Sequence, residues 1–384
     1  MNFDFNEEQR MLKDAVDRLV ADRYDFEQRA RYLGEEDGWS RTLWASYAEL
    51  GLLGLPFAEA DGGFAGGPAE TMIVMEAAGR GLLLEPYLAT VVLAGGLLTN
   101  AASPAQRADI LPAVIAGERL LAFAHSEAQA RFDLADVATT ARREDGEWVL
   151  DGCKRYVLHG DCADQLIVSA RVSGGRRDAD GLALFLVDAN AAGLSRRGYQ
   201  TQDRLRAADI TLDGVRVSES ALLGEAGRAL PLIEKAVDAA LAALCAEAVG
   251  AMQQAFDMTV EYLKMRKQFG VVIGSFQAIQ HRTVDMLVMI EQARSMALYA
   301  SMMVGEEDVL ERRRAIAAAK VQINRSARFV AQQTVQLHGG IGVTEECQVG
   351  HYMRRLSMIE ILFGDADFHL AHLARDGGLI SADA

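Results

Sequence analysis

Through the first 120 residues, apolar side chains recur every three or four positions. The run "FNEEQRMLKDAVDRLVADRY" carries this spacing and predicts an amphipathic helix, with Asn6 as its cap and Glu7 and Glu8 as first-turn acids. Helices are also predicted in "SRTLWASYAELGLLG" and "PAETMIVMEAAGRG", separated by the glycine loop "FAEADGGFAGG". "PAQRADILPAVIAGERLLAFA" predicts a helix running into a strand. From about Leu120 the period shortens. "EWVLDGCKRYVL", "DQLIVSARV", "GLALFLVD" and "DITLDGVRVS" are β-rich runs bounded by Gly, Asp and Asn, the pattern of an antiparallel β domain. Past Gly224 long helical patterns return and continue to the end, broken at "RKQFGVVIGS" and "LHGGIGVTEE". The predicted class is α+β: an N-terminal helical domain over 1–120, a central β domain over 121–223, and a C-terminal four-helix-bundle-like domain over 224–384.

Composition narrows the function classes. Half of the 384 residues are hydrophobic and Pro is scarce, as in a helix-rich globular protein, and the length allows two or three domains. The formal charge of −15 argues against nucleic acid as a partner, since phosphates need a basic face. The cysteines Cys153, Cys162, Cys245 and Cys347 form no CxxC pair, no basic n-region precedes an apolar run, and no stretch has the length and apolarity of a membrane span. These features predict reduced thiols and a cytoplasmic location. His369 and His372 have helical spacing for a metal pair, but no further ligand pattern surrounds them. They are read as surface or capping histidines, with no metal.

One acid stands out. In "DAALAALCAEAVGAMQQAF", Asp238 to Phe256, Glu247 lies among Leu244, Ala246 and Ala248 on an apolar helix. A buried carboxylate is paired, neutral or used, and a simple ion pair with an Arg from a neighbouring element is the plainest of these.

Three motifs then become specific: "MRKQFGVVIGSFQAIQH", "QLHGGIGVTEE" and the "EADGG" loop after Pro56. With the order helices, β domain, helices, they make the chain resemble the acyl-CoA dehydrogenase superfamily over nearly its full length. Within it, "DGCKRYVLHGDCADQLIVSAR" and "TQDRLRAADITLDGVRV" are most similar to small subunits of pimeloyl-CoA dehydrogenase. The resemblance implies FAD, held where the β domain meets the C-terminal helices and shared with a neighbouring subunit. It implies contacts from Arg266, Gln268, Phe269, Ile273, Phe276, Gln277, Gln336, Gly339, Gly340 and Asp365. An Arg suits a pyrophosphate, Phe269 offers a flat apolar surface, and adjacent glycines let backbone N–H groups approach an anion. In "LAFAHSEAQARFD", Phe123, His125 and Ser126 match the flavin-lining strand and loop. Tyr156 stands where the family usually has a Trp, and Leu158 where it usually has a Thr that bonds flavin N5.

The implied reaction is α,β-dehydrogenation of an acyl-CoA thioester to the trans-2-enoyl-CoA, with a carboxylate removing the α proton. The implied partners are the acyl-CoA, an electron-transfer flavoprotein, and either three further copies or a related large subunit in a tetramer. Many members carry the base in a "YEGT" turn, but here the stretch is "LFGD" and Phe363 takes the glutamate's position, leaving its backbone N–H for the thioester oxygen. Some members instead place the base on the first long C-terminal helix, at a position that falls on Ala240. Glu247, two turns later on nearly the same face, is therefore the proposed base, with burial expected to raise its pKa. Glu360 and Asp365 are the competing acids. An alternative is a catalytically incomplete FAD- or CoA-binding subunit of a heteromeric enzyme.

Overall fold

The computed structural model describes residues 5–375, and its contacts divide the chain into two units. One unit comprises Tyr32–Gly67 and Leu84–Ala240; the other takes in the chain up to Arg31, Pro68–Leu83 and everything from Leu241 on. The three domains predicted from the sequence are thus threaded through two units.

The helices of the N-terminal region are α1 (Glu7–Arg23), α2 (Phe26–Tyr32), α3 (Arg41–Glu49), α4 (Pro68–Gly81), α5 (Gly95–Ala101) and α6 (Pro104–Ile115). Asn6 does cap α1, and Gln9 returns the bond to close a capping box. Ser103 and Gln106 do the same for α6, with Pro104 at the position where a missing N–H costs nothing. A π-helical stretch, Tyr87–Ala94, precedes α5 and was not expected from the periodicity. It is apolar almost throughout, so no amphipathic period marks it.

The sheet contains β1 (Leu121–Ala124), β2 (Thr140–Glu144), β3 (Glu147–Leu158), β4 (Gln165–Arg171), β5 (Leu182–Asp188), β6 (Leu194–Gln200), β7 (Arg206–Ser218) and β8 (Leu222–Leu223). Its order is β6-β7-β3-β2-β4-β5-β8, with β1 pairing β4. Contrary to the purely antiparallel expectation the sheet is mixed: β1 runs parallel to β4 from Leu121↔Gln165 to Ala124↔Val168, and β2 meets β4 in parallel at Thr140↔Arg171. A parallel neighbour leaves no local sequence trace, because its partner arrives through a long crossover. The inward positions, among them Trp148, Leu150, Val168, Phe185 and Ile210, form one apolar cluster.

Helix α7 (Leu230–Met265) begins in the sheet-bearing unit and continues into the other. The hairpin strands β9 (Lys267–Gln268) and β10 (Val271–Val272) follow, then α8 (Gln277–Met303), α9 (Val309–His338), α10 (Gln348–Ile361) and α11 (Ala366–Arg375). In this unit α8, α10 and α11 each pack on α9, and α4 packs on α1 and α8. Where α4 meets α7, a Cβ on Gly79 would lie 1.8 Å from the Glu247 carbonyl oxygen, and one on Gly250 would lie 1.8 Å from that of Glu76. The two backbones touch there, which only reciprocal glycines allow. The small residues around Glu247 therefore serve helix packing; from Leu241 to Gly250 every residue is buried.

Candidate active site

In the sheet-bearing unit, β1 ends in the turn His125–Ser126. The Phe123 and His125 rings stack at 5.2 Å, nearly parallel at 11°. Ser126 is exposed, and its carbonyl accepts a bond from the Arg155 N–H at 2.7 Å, which ties the turn to the segment carrying Tyr156. Tyr156 sits in an irregularity of the β3–β7 pairing between Lys154 and Val157, at φ +54°. A bulge of this kind re-aims a side chain relative to its strand neighbours. Leu158 regains the register opposite Ala207, half-buried and without a donor, as its chemistry requires. Phe123, His125, Ser126 and Tyr156 are thus brought to one end of β1 and β3.

Beneath that turn lies a group the sequence reading missed. Lys154, fully buried, donates to the Glu127 carboxylate at 2.7 Å, the Ser169 hydroxyl at 3.1 Å and the His125 carbonyl at 3.3 Å. Glu127 further accepts from the Thr139 N–H, the Thr139 hydroxyl and the Ala138 N–H. Ser169 Oγ lies 2.8 Å from His125 Nδ1. Burial lowers the Lys154 pKa to about 8, with the Glu127 charge opposing it. Burial also acts to raise Glu127, but the Lys154 charge and the bonds from Lys154, Thr139 and Gln129 outweigh it and hold the carboxyl at about 2. Both partners are charged near neutral pH. His125, lowered to about 3 by burial and then by Lys154, is neutral. The available signal was strand alternation: Lys154 occupies an inward position of "GCKRYVL", and an inward charge demands a partner.

In the other unit, Arg266 follows α7, and β9–β10 form a two-residue hairpin whose tip residues, Phe269 and Gly270, both have positive φ, +54° and +81°. Such a turn matches the strand twist and projects its side chains outward. Phe269 is 91 % exposed, its ring 6.3 Å from that of Phe276. Gln268, whose amide donates to the Lys267 carbonyl, is exposed, as are Arg266, Gln277 and Gln336; Ile273 is half-buried. Tyr262, one turn before Arg266, stacks on His338 at 4.4 Å, and its hydroxyl donates to the His338 carbonyl. The end of α7 and the Gly339–Gly340 turn after α9 are therefore neighbours. A Cβ at either glycine would meet nothing within 4 Å, so open space lies in front of both. Among the described residues the Arg266 guanidinium has no acid partner. An unpaired cation, an exposed phenyl ring and an open glycine turn fit the phosphates and flat ring of a dinucleotide.

The acids look different. Glu247, 4 % exposed, receives Arg355 Nε at 2.5 Å and Nη2 at 2.7 Å, a bidentate pair with a residue itself 6 % exposed. The setting is therefore not the purely apolar one assumed for a base. Glu360 binds Arg328, and Asp365 accepts the Phe368 N–H at 2.8 Å to cap α11. Phe363, half-buried at φ +56°, follows α10, and among the described residues its N–H has no hydrogen-bond partner. His369 corrects the surface reading: it is buried, and burial, then the charges of Lys320 and His372, lower its pKa to about 3. Among the described residues no cluster of three or more His, Cys, Asp or Glu side chains has metal-binding geometry, and no helix is long and apolar enough to cross a membrane.

In chain order the fold is helices, then a mixed sheet, then helices. Family models agree along the chain: acyl-CoA dehydrogenase N-terminal domain over residues 6–118, middle domain over 122–215, and C-terminal domain over 230–378. The chain belongs to the acyl-CoA dehydrogenase family, FAD-dependent oxidoreductases. It is 29% identical over 381 residues to the probable acyl-CoA dehydrogenase YngJ of Bacillus subtilis, covering 98% of this chain and 99% of that one. Among solved structures it is similar to a Tcur3481-Tcur3483 steroid ACAD variant, with TM-score 0.86 and 31% identity over 96% of this chain and 97% of that one. It is also similar to the ChsE4-ChsE5 complex from Mycobacterium tuberculosis, with TM-score 0.87 and 25% identity over 98% of each chain.

Proposed function

We propose that the chain carries out FAD-dependent α,β-dehydrogenation of an acyl-CoA thioester, giving the trans-2-enoyl-CoA. The observation that carries this is the Phe363 N–H, without a hydrogen-bond partner among the described residues and set at a left-handed turn, a donor for a thioester carbonyl that requires no side chain at all. Bound FAD would supply the two-electron acceptor for hydride from Cβ. Arg266, Gln268 and the Gly339–Gly340 amides would hold its phosphates, with Phe269, Ile273, Phe276, Gln277, Gln336 and Asp365 around them. Ser126 would donate to its ring edge, backed by His125 and Phe123, and Tyr156 would give an apolar face. Leu158 offers no hydroxyl to N5, so the N5 contact must come from elsewhere.

Glu247 as proton acceptor requires that Arg355 release one oxygen, and that pair supports a structural role better. A second reading follows from the same pair and from Phe363: a related chain supplies the base. Two of the similar structures carry paired names, Tcur3481-Tcur3483 and ChsE4-ChsE5, which supports a mixed tetramer over a homotetramer. The β-domain sequence supports kinship with pimeloyl-CoA dehydrogenase small subunits, and the family resemblance supports electron transfer to a flavoprotein, a role in fatty acid metabolism and a cytoplasmic site of action. The deciding experiment is anaerobic mixing of the purified yellow protein with octanoyl-CoA. Bleaching of the flavin by this chain alone supports a complete enzyme; bleaching only after a related chain is added supports the mixed one. No bleaching in either case overturns the dehydrogenase reading for that substrate class.

A further inference from the structure

Helix α10 ends against α9 in an unusual way. The last carbonyls of a helix lack intrahelical partners and must find others. Here the chain's own turn takes two: the Leu362 N–H bonds the Met358 carbonyl and the Gly364 N–H bonds that of Ile361. The two between them are taken by side chains of α9. Lys320 Nζ donates to the Ile359 carbonyl, and Asn324 Nδ2 donates to the Glu360 carbonyl at 3.1 Å. Arg328 then binds the Glu360 carboxylate. Positions 320, 324 and 328 are successive turns of one helix face.

Lys320 and Asn324 are almost wholly buried, so neither is a solvated surface group that happens to be near. A buried ammonium is costly to desolvate, and among the described residues the hydrogen-bond acceptor of Lys320 is a backbone carbonyl, with the Glu247 and Asp365 charges favouring the cation from farther away. Burial accordingly lowers its pKa to about 8. Packing alone would favour an apolar residue at that position. What the cation holds is the base of the turn that carries Phe363. On the far side, a Cβ at Gly364, φ +120°, would lie 2.6 Å from the His369 ring, so that ring packs closely on the turn. The turn is bonded by α9 on one side and packed by the His369 ring on the other, while the Phe363 N–H has no hydrogen-bond partner among the described residues.

We propose that Lys320 and Asn324 are positioning residues: by occupying the last carbonyls of α10 they hold the Phe363 N–H in place for an acyl thioester oxygen. The inference rests on the acyl-CoA reading above, and it makes the polar ladder of α9 a support for substrate binding.

The test uses the FAD-loaded full chain and two variants, Asn324→Ala and Lys320→Met, with two readouts. Backbone amide exchange in a peptide spanning 360–366 is expected to rise about tenfold, the size of one lost buried hydrogen bond, while exchange in α8 stays within about twofold. Octanoyl-CoA affinity, read by perturbation of the flavin spectrum, is expected to weaken severalfold with FAD content unchanged. If Lys320→Met does not fold, Asn324→Ala alone carries the test. Unchanged exchange over 360–366, or an equal rise throughout the unit, overturns the ladder. A loosened turn with unchanged octanoyl-CoA affinity overturns its role toward the thioester. Wild-type protein that holds FAD but does not bind octanoyl-CoA overturns the acyl-CoA reading instead, and exchange then decides the ladder by itself.

Discussion

Glu247→Gln separates a structural carboxylate from a catalytic one. In the folded chain both Glu247 oxygens lie 2.5 and 2.7 Å from the Arg355 guanidinium, with both residues nearly out of solvent. Gln keeps the shape but removes the charge and turns an NH2 towards the buried Arg355 guanidinium, so the bidentate pair is lost. Removing one partner of such a pair costs about 3–5 kcal/mol, whereas replacing both by apolar groups of similar volume is close to neutral. At 1.4 kcal/mol per tenfold, Glu247→Gln should raise the local opening constant of α7 and α10 by about two to four powers of ten. A double-mutant cycle with Glu247→Leu and Arg355→Met should give a coupling energy of a few kcal/mol for the pair. Native-state amide exchange of the α7 and α10 segments is the assay, because a chain of two units need not unfold in one step. Flavin reduction by octanoyl-CoA, normalised to folded protein, should stay within a few-fold of wild type. Unchanged exchange together with a flavin-reduction rate lower by two to four orders of magnitude would refute the reasoning and return Glu247 to the role of base.

Other consequences are equally direct. Gly79→Ala should destabilise the α4–α7 contact strongly, since its Cβ has no room beside the Glu247 carbonyl, while Gly146→Ala, with nothing within 4 Å, should show only the smaller strain of its φ of +85°; denaturant midpoints distinguish them. Glu127 is held at about 2 against an ordinary 4.5, so its stabilising contribution is complete above about pH 4.5 and is lost as pH falls through about 2; Glu127→Gln should flatten that part of the acid-unfolding curve. Arg266→Ala should leave the melting temperature of the FAD-free protein unchanged and weaken FAD binding about tenfold or more, the worth of a charge-assisted bond, as measured by flavin retention on dilution.

Much of the architecture is legible in the local pattern. The change from a three-to-four-residue period to alternation near Leu120, and back past Gly224, follows from which side chains each element must bury. The cap Asn6 is read from the acids that follow it, and "RKQFGVVIGS" is read as a break between helices. What the sequence alone could not supply is partnership across the chain. Glu247 on its helix reads equally as base or ion-pair member, and the decision lies in Arg355, 108 positions away. Lys154 and Glu127 are unremarkable apart, and so are Lys320 and the carbonyl of Ile359. β1 and β4 are parallel neighbours joined only through a long excursion. In each case the free energy of a buried charge or an unpaired backbone group is set by what meets it in space, and that meeting belongs to the tertiary structure.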